Sequence, residues 1–204
     1  LISVFVVGML IVVCLNPVMS EVNVLITNFL NGLGGTNKIL LGLVLGMMMA
    51  ADLGGPINKA AYAFSIAMLE AGNTEIMGAV MTSGMVPAVG VALAATIFKK
   101  KFNAEQRDAA KANYIMGLSF ICEGAIPYAA ADPKVIIPSI ITGAGITGAL
   151  SMLFNVGVPA PHGGIFVTPV VSNVFMFFLA ILIGTVVTAA MIGFLKKDLP
   201  ENQR

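Results

Sequence analysis

Glu123 stands in Phe120-Ile-Cys-Glu-Gly-Ala-Ile-Pro127, an ionisable group among apolar neighbours. A charge in such a setting within lipid costs about 2.5–3.5 kcal/mol or more, so it must border a polar cavity, find a partner or be protonated. Two uses fit the residue type. It can cap a helix N-terminus in a buried turn, or it can accept a hydrogen bond from a polar solute and take up its proton. His162, in Ala160-Pro-His-Gly-Gly164, is the single histidine. It sits between a proline and two glycines, Gly163 and Gly164, where backbone can approach a ligand closely. An acceptor such as Glu123, with Gly124 beside it, and a donor such as His162 together suit hydroxyl groups. A third group is Asp52, Asn58 and Lys59 around Gly54-Gly55-Pro56. Asp52 and Lys59 either neutralise one another or touch a solute, and the sequence leaves both open.

The elements that carry these residues are set by the solvent. Of 204 residues 58% are hydrophobic and only 10% charged, against roughly 25% charged in soluble chains. Twelve of the 21 charged residues fall in two segments, 99–111 and 196–204. Nine are scattered elsewhere, six of them acidic. No basic stripe of useful size is left for nucleic acid. One histidine and two cysteines, Cys14 and Cys122, exclude a repeated Cys/His metal or haem framework, and no metal or cofactor is expected. Both cysteines lie in apolar runs and read as small hydrophobes; the thirteen methionines read as packing.

A membrane-crossing helix needs about 20 apolar residues. Charge-free runs of that length are 1–20, 76–98, 135–161 and 163–195. The last is broken by Thr168, Pro169, Ser172 and Asn173, which places its helix at 174–195. Segment 22–37 reads as an interfacial helix or a surface loop. Lys99, Lys100, Lys101, Arg107 and Lys111 follow a crossing segment directly, and the positive-inside rule puts that loop and the tail at 196–204 in the cytoplasm. An even number of crossings must then separate them, although three apolar blocks lie between. The block at 112–131 is expected not to cross, because Glu123-Gly-Ala-Ile-Pro127 interrupts it. Upstream, 39–51 and 60–69 are each too short to cross and are divided by Asp52-Leu-Gly-Gly-Pro56. Paired short segments broken by Gly and Pro point to a transporter's binding site. The expected fold is therefore an all-α integral membrane protein, a polytopic helical bundle with two re-entrant or discontinuous hairpins. Asp132 and Lys134 are expected at an interfacial boundary, and Glu70 and Glu75 in a solvated turn. Gly42 with Gly46, Ser139 with Gly143, and Ala144 with Gly148 suit close helix packing.

At these motifs the chain resembles a known family. Ala51-Asp-Leu-Gly-Gly-Pro-Ile-Asn-Lys-Ala60, Glu123-Gly-Ala-Ile-Pro-Tyr-Ala-Ala-Ala-Asp-Pro133 and Ala160-Pro-His-Gly-Gly-Ile165 are similar to enzyme IIC, the membrane subunit of the bacterial sugar phosphotransferase system, fructose family. The resemblance implies a permease in the inner membrane that binds fructose or a related hexose and moves it inward with phosphorylation. The phosphoryl donor in such systems is a cysteine of a IIB domain fed by IIA, and neither cysteine here occupies such a site. Glu123 would contact sugar hydroxyls from a hairpin, with His162 in a similar role. A homodimer in membrane lipid is implied as well. Family members often carry Thr where Cys122 stands and Phe where Tyr128 stands, so either position could tune the sugar. The chain opens on Leu1 inside an apolar run, and residues 1–204 are expected to be the C-terminal portion of one IIC domain. The residues alone leave an alternative, an ion-coupled secondary transporter of a small polar solute with Asp52 and Glu123 at broken helices.

Overall fold

The computed structural model describes residues 37–201 and the scattered positions 5, 9, 13, 21, 24, 25, 28 and 32. The expectations for 1–20 and 22–37 lie outside the continuously described residues. Residues from Lys38 onward form one unit, whose described residues build seven α-helices: α1 (Lys38–Ala51), α2 (Pro56–Glu70), α3 (Thr74–Ile97), α4 (Ala104–Leu118), α5 (Ile126–Ala131), α6 (Pro133–Leu153) and α7 (Val174–Leu195).

The helix starts follow from local chemistry. Asn73 caps α3 by accepting from the Glu75 N–H, and Asn103 with Gln106 forms a reciprocal capping box on α4. Proline opens α2 and α6, where its missing N–H is no loss. Among the described residues three helices, α3, α6 and α7, are long and apolar enough to cross a membrane. α3 is the central post, buried along nearly all its length, with α1, α2, α4, α6 and α7 packed around it. α7 is apolar on both its buried and its outward face. Its buried face holds Ala180, Gly184, Thr185, Thr188 and Ala189 together with Phe177, Ile181 and Ile192, while Phe175, Phe178, Leu182 and Val186 face outward. Small residues let the helix approach its neighbours closely, and large apolar side chains on the outward face suit lipid.

Ion pairs fix which ends belong together. At the basic end, Lys196 after α7 bonds Asp132 before α6 at 3.0 Å, and Lys101 after α3 lies 3.3 Å from Asp198. At the opposite end, Lys38 at the start of α1 pairs with Glu75 at the start of α3 at 3.4 Å and also donates to Asn155, just past α6. Glu75 is thus paired rather than merely solvated. α4 leaves the basic end and α5 returns to it, because Asp132 follows α5 directly. The block at 112–131 therefore enters and leaves on one side, as its interruption predicts. α1 and α2 make the mirror arrangement, starting and finishing at the opposite end.

A third re-entrant element was not anticipated. After α6 the chain runs through 154–173 to the start of α7 as loop and 3₁₀ turn (Gly164–Val170). Its neck is closed at the opposite end, where Ser172 N–H donates to the Gly157 carbonyl and Ser172 Oγ accepts from Gly157 N–H. Its middle dips inward to meet α4. The small-residue pairs have a concrete role: α1 crosses α6 so closely that a Cβ on Gly42 would lie 2.3 Å from the Gly148 carbonyl oxygen.

Candidate functional site

The tips of the two hairpins meet. A Cβ on Gly54, between α1 and α2, would lie 2.5 Å from Glu123 Oε1, so the bare backbone of one tip rests on the carboxylate of the other. Gly54 has φ +96° and its neighbour Leu53 φ +47°, a turn that reverses the chain within four residues. Asp52 holds this turn. Its carboxylate accepts from Ile57 N–H at 2.7 Å and Asn58 N–H at 3.0 Å, capping the N-terminus of α2. Among the described residues it makes no ion pair with Lys59, and it does not line the cleft described below.

The second tip spans 119–125 and contains a 3₁₀ turn (Cys122–Ala125). Asn113 of α4, which is buried, donates from Nδ2 to the Gly124 carbonyl at 2.9 Å and so fixes the tip from behind. Phe120 takes φ +66°, an arrangement rare for a bulky residue. Its ring lies against Gly84, near the middle of α3, and 5.0 Å from the His162 ring. The third element supplies its own support: Gly164, at φ +56°, sits so close to the backbone of 118–120 that a Cβ would fall 2.2 Å from the Leu118 carbonyl oxygen.

Between the three elements is a partly open cleft of about 250 Å³, lined by Met49, Asn58, Lys59, Tyr62, Gly84, Phe120, Ile121, Cys122, Glu123 and His162. That is a little below the roughly 300–1,000 Å³ of sites for drug-sized ligands and suits a small polar solute. Glu123 is half-buried, His162 and Lys59 are exposed, and Asn58 is buried. Asn58 Nδ2 donates to the Met49 carbonyl at 2.6 Å and lies 3.6 Å from Cys122 Sγ, tying the first hairpin to the second. Cys122 Sγ in turn lies 3.7 Å from Glu123 Oε2. Among the described residues no three His, Cys, Asp or Glu side chains converge as a metal site.

Of the residues singled out from sequence, Glu123, His162, Asn58 and Lys59 come together on one cleft. Gly124 rests on Asn113 and Gly164 on the backbone of 118–120, whereas Gly163 faces Val167 of its own loop; none of the three lines the cleft. Cys122 lines the cleft, whereas the Tyr128 hydroxyl points elsewhere and donates to the Gln106 carbonyl at 2.5 Å. Sequence reasoning missed Tyr62, Phe120 and Asn113. Tyr62 lies one turn beyond Asn58 on α2, so the i, i+4 spacing from Asn58 was the available clue.

A family profile described as "Phosphotransferase system, EIIC" matches residues 1–143. The chain is 47% identical, over its whole length, to the "PTS system fructose-specific EIIB'BC component" of Rhodobacter capsulatus, covering 36% of that protein. It is 46% identical over 98% of its length to the "Fructose permease IIC component" of Bacillus amyloliquefaciens, covering 66% of it. It is 51% identical over 88% of its length to the "PTS system fructose-specific EIIC component" of Haloferax volcanii, covering 48% of it. The chain thus spans between about a third and two thirds of these relatives. No solved structure matches it. The sequence motifs, the helical membrane architecture and these matches agree, and the chain belongs to the EIIC family of the phosphotransferase system.

Proposed function

We propose that this chain is the C-terminal portion of a fructose-type EIIC permease, and that it binds a hexose at the Glu123 cleft and moves it inward as it is phosphorylated. The observation that carries the reading is the carboxylate of Glu123 at the meeting point of three re-entrant elements, in a cleft of about 250 Å³. A neutral sugar offers hydroxyl donors to that carboxylate, and Tyr62, Asn58, Lys59 and His162 offer polar groups around it. The names of relatives from Rhodobacter capsulatus and Bacillus amyloliquefaciens specify fructose.

Phosphorylation needs a donor outside this chain. In the names of two relatives, EIIB'BC and EIIABC, the C component is joined to B and A components, which supports IIB and IIA as partners. In the step we envisage, a sugar hydroxyl oxygen attacks the phosphorus of the IIB phosphocysteine. The S–P bond breaks, the thiolate leaves, and the hydroxyl proton passes to the Glu123 carboxylate as general base. The lysine-rich end carrying 99–111 and 196–204 would face the cytoplasm, where IIB resides. The protein would work as a homodimer in the bacterial inner membrane.

The test is Glu123→Gln in the complete system, measured as phosphoenolpyruvate-dependent sugar uptake. The amide keeps the shape but takes no proton, and uptake is expected to fall by at least about 10²-fold, the lower range for a lost general base, while membrane insertion is unchanged. Normal uptake by the variant would refute the assignment.

A further inference from the structure

A second concave surface lies at the basic end, apart from the Glu123 cleft. It has a volume of about 490 Å³ and is set between the end of α3 and the first turns of α4. The Tyr114 hydroxyl donates to Thr96 Oγ1 at 3.1 Å and bridges the two helices at its wall. Three cations, Lys99, Arg107 and Lys111, line it against one acid, Asp108. Lys111 and Asp108 are 3.7 Å apart with both side chains more than four-fifths exposed, a pair worth little. Lys99 and Arg107 form no ion pair among the described residues, so positive charge is left over. Ile115, four residues past Lys111 on the same face of α4, is 70% exposed. Because α4 runs inward from the basic end, the order along this face is cations first and an outward apolar side chain deeper.

We propose that this cleft binds the headgroup phosphate of an anionic phospholipid, with an acyl chain lying along Ile115. Basic pockets between helices at the positive side of a membrane protein recognise such headgroups, and an arginine fork matches phosphate oxygens in pairs. A soluble anion would use the cations but gain nothing from the apolar side chain next to them. The inference does not depend on the sugar reading of the Glu123 site.

The protein purified in detergent, in its complete form, would be titrated with phosphatidylglycerol and with phosphatidylcholine, and retained lipid counted by native mass spectrometry. Phosphatidylglycerol is expected to be retained preferentially. The preference should fall by roughly 30-fold in the double variant Arg107→Gln with Lys111→Gln, the factor for two membrane-surface cations. Arg107→Lys, which keeps the charge but not the fork, should lose less than Arg107→Gln, which separates lost charge from lost folding. Equal retention of the two lipids, or an unchanged preference in the double variant, overturns the proposal. Displacement of the lipid by millimolar inorganic phosphate would assign the cleft to a free anion instead. An unchanged lipid preference with lost phosphorylation by soluble IIB would assign it to a protein partner.

Discussion

Substituting Gly54 by alanine separates the two things that its position demands. Its φ of +96° is strained for any residue with a Cβ, at about 1–3 kcal/mol. Its Cβ would also lie 2.5 Å from Glu123 Oε1, whereas ordinary van der Waals contact begins at 3.4 Å. The carboxylate must therefore retreat by roughly 1 Å, and a shift of that size at a reacting group costs about 10²-fold in rate. Gly72, in the turn between α2 and α3, is the control: it has φ +89° with nothing within 4 Å of the added Cβ. Gly72→Ala carries the backbone strain alone. Both variants should lose similar thermal stability in detergent, while only Gly54→Ala should lose phosphoenolpyruvate-dependent sugar uptake, by about two orders of magnitude. The measurement is initial uptake rate per inserted protein, with both variants quantified in the membrane. Equal uptake by the two variants would show that the contact between the hairpin tips does not position Glu123.

Two further substitutions test the supports. Asp52→Ala removes the cap on α2 and should lower stability by about 1 kcal/mol, seen as a lower unfolding midpoint, with Asp52→Asn losing less because an acceptor oxygen remains; a raised sugar KM at unchanged midpoint would instead place Asp52 in the binding site. Asp132→Asn strips the mostly buried Lys196 of its carboxylate and should destabilise by about 3 kcal/mol. Adding Lys196→Met should recover most of that loss in a thermal melt, and an equally unstable double variant would mean that the pair is not the cause.

The hairpins were legible because charge is scarce in this chain. Glu123 and Asp52 each stand out in an apolar block, each four residues before a proline; the positive segments require that one of the three blocks between them does not cross, and the break at Glu123 singles out 112–131. What Asp52 does was not legible: from sequence it reads as an ion-pair partner of Lys59 or a solute contact, and the positions of the Ile57 and Asn58 N–H groups show a cap instead. Asn113 was hidden by its neighbours: in Lys111-Ala-Asn-Tyr114 it reads as part of a polar helix start, although it is buried against Gly124. The dip of 154–173 depends on a contact between Gly164 and the backbone of 118–120, some 45 residues apart along the chain. No local pattern encodes such a pairing. The Gly42 and Gly148 approach was visible only as one of many small-residue spacings in a chain with 22 glycines.

The meeting of the two tips also decides how the cleft is owned. Each hairpin ends in a turn whose backbone is not helical, and such backbone in bare lipid leaves N–H and C=O groups without partners. Each hairpin brings partners of its own: the Asp52 carboxylate accepts from Ile57 and Asn58 N–H in the first, and Asn113 donates to the Gly124 carbonyl in the second. The cleft belongs to neither alone. Asn58, Lys59 and Tyr62 come from one hairpin, Cys122 and Glu123 from the other, so it comes into being only when both are present.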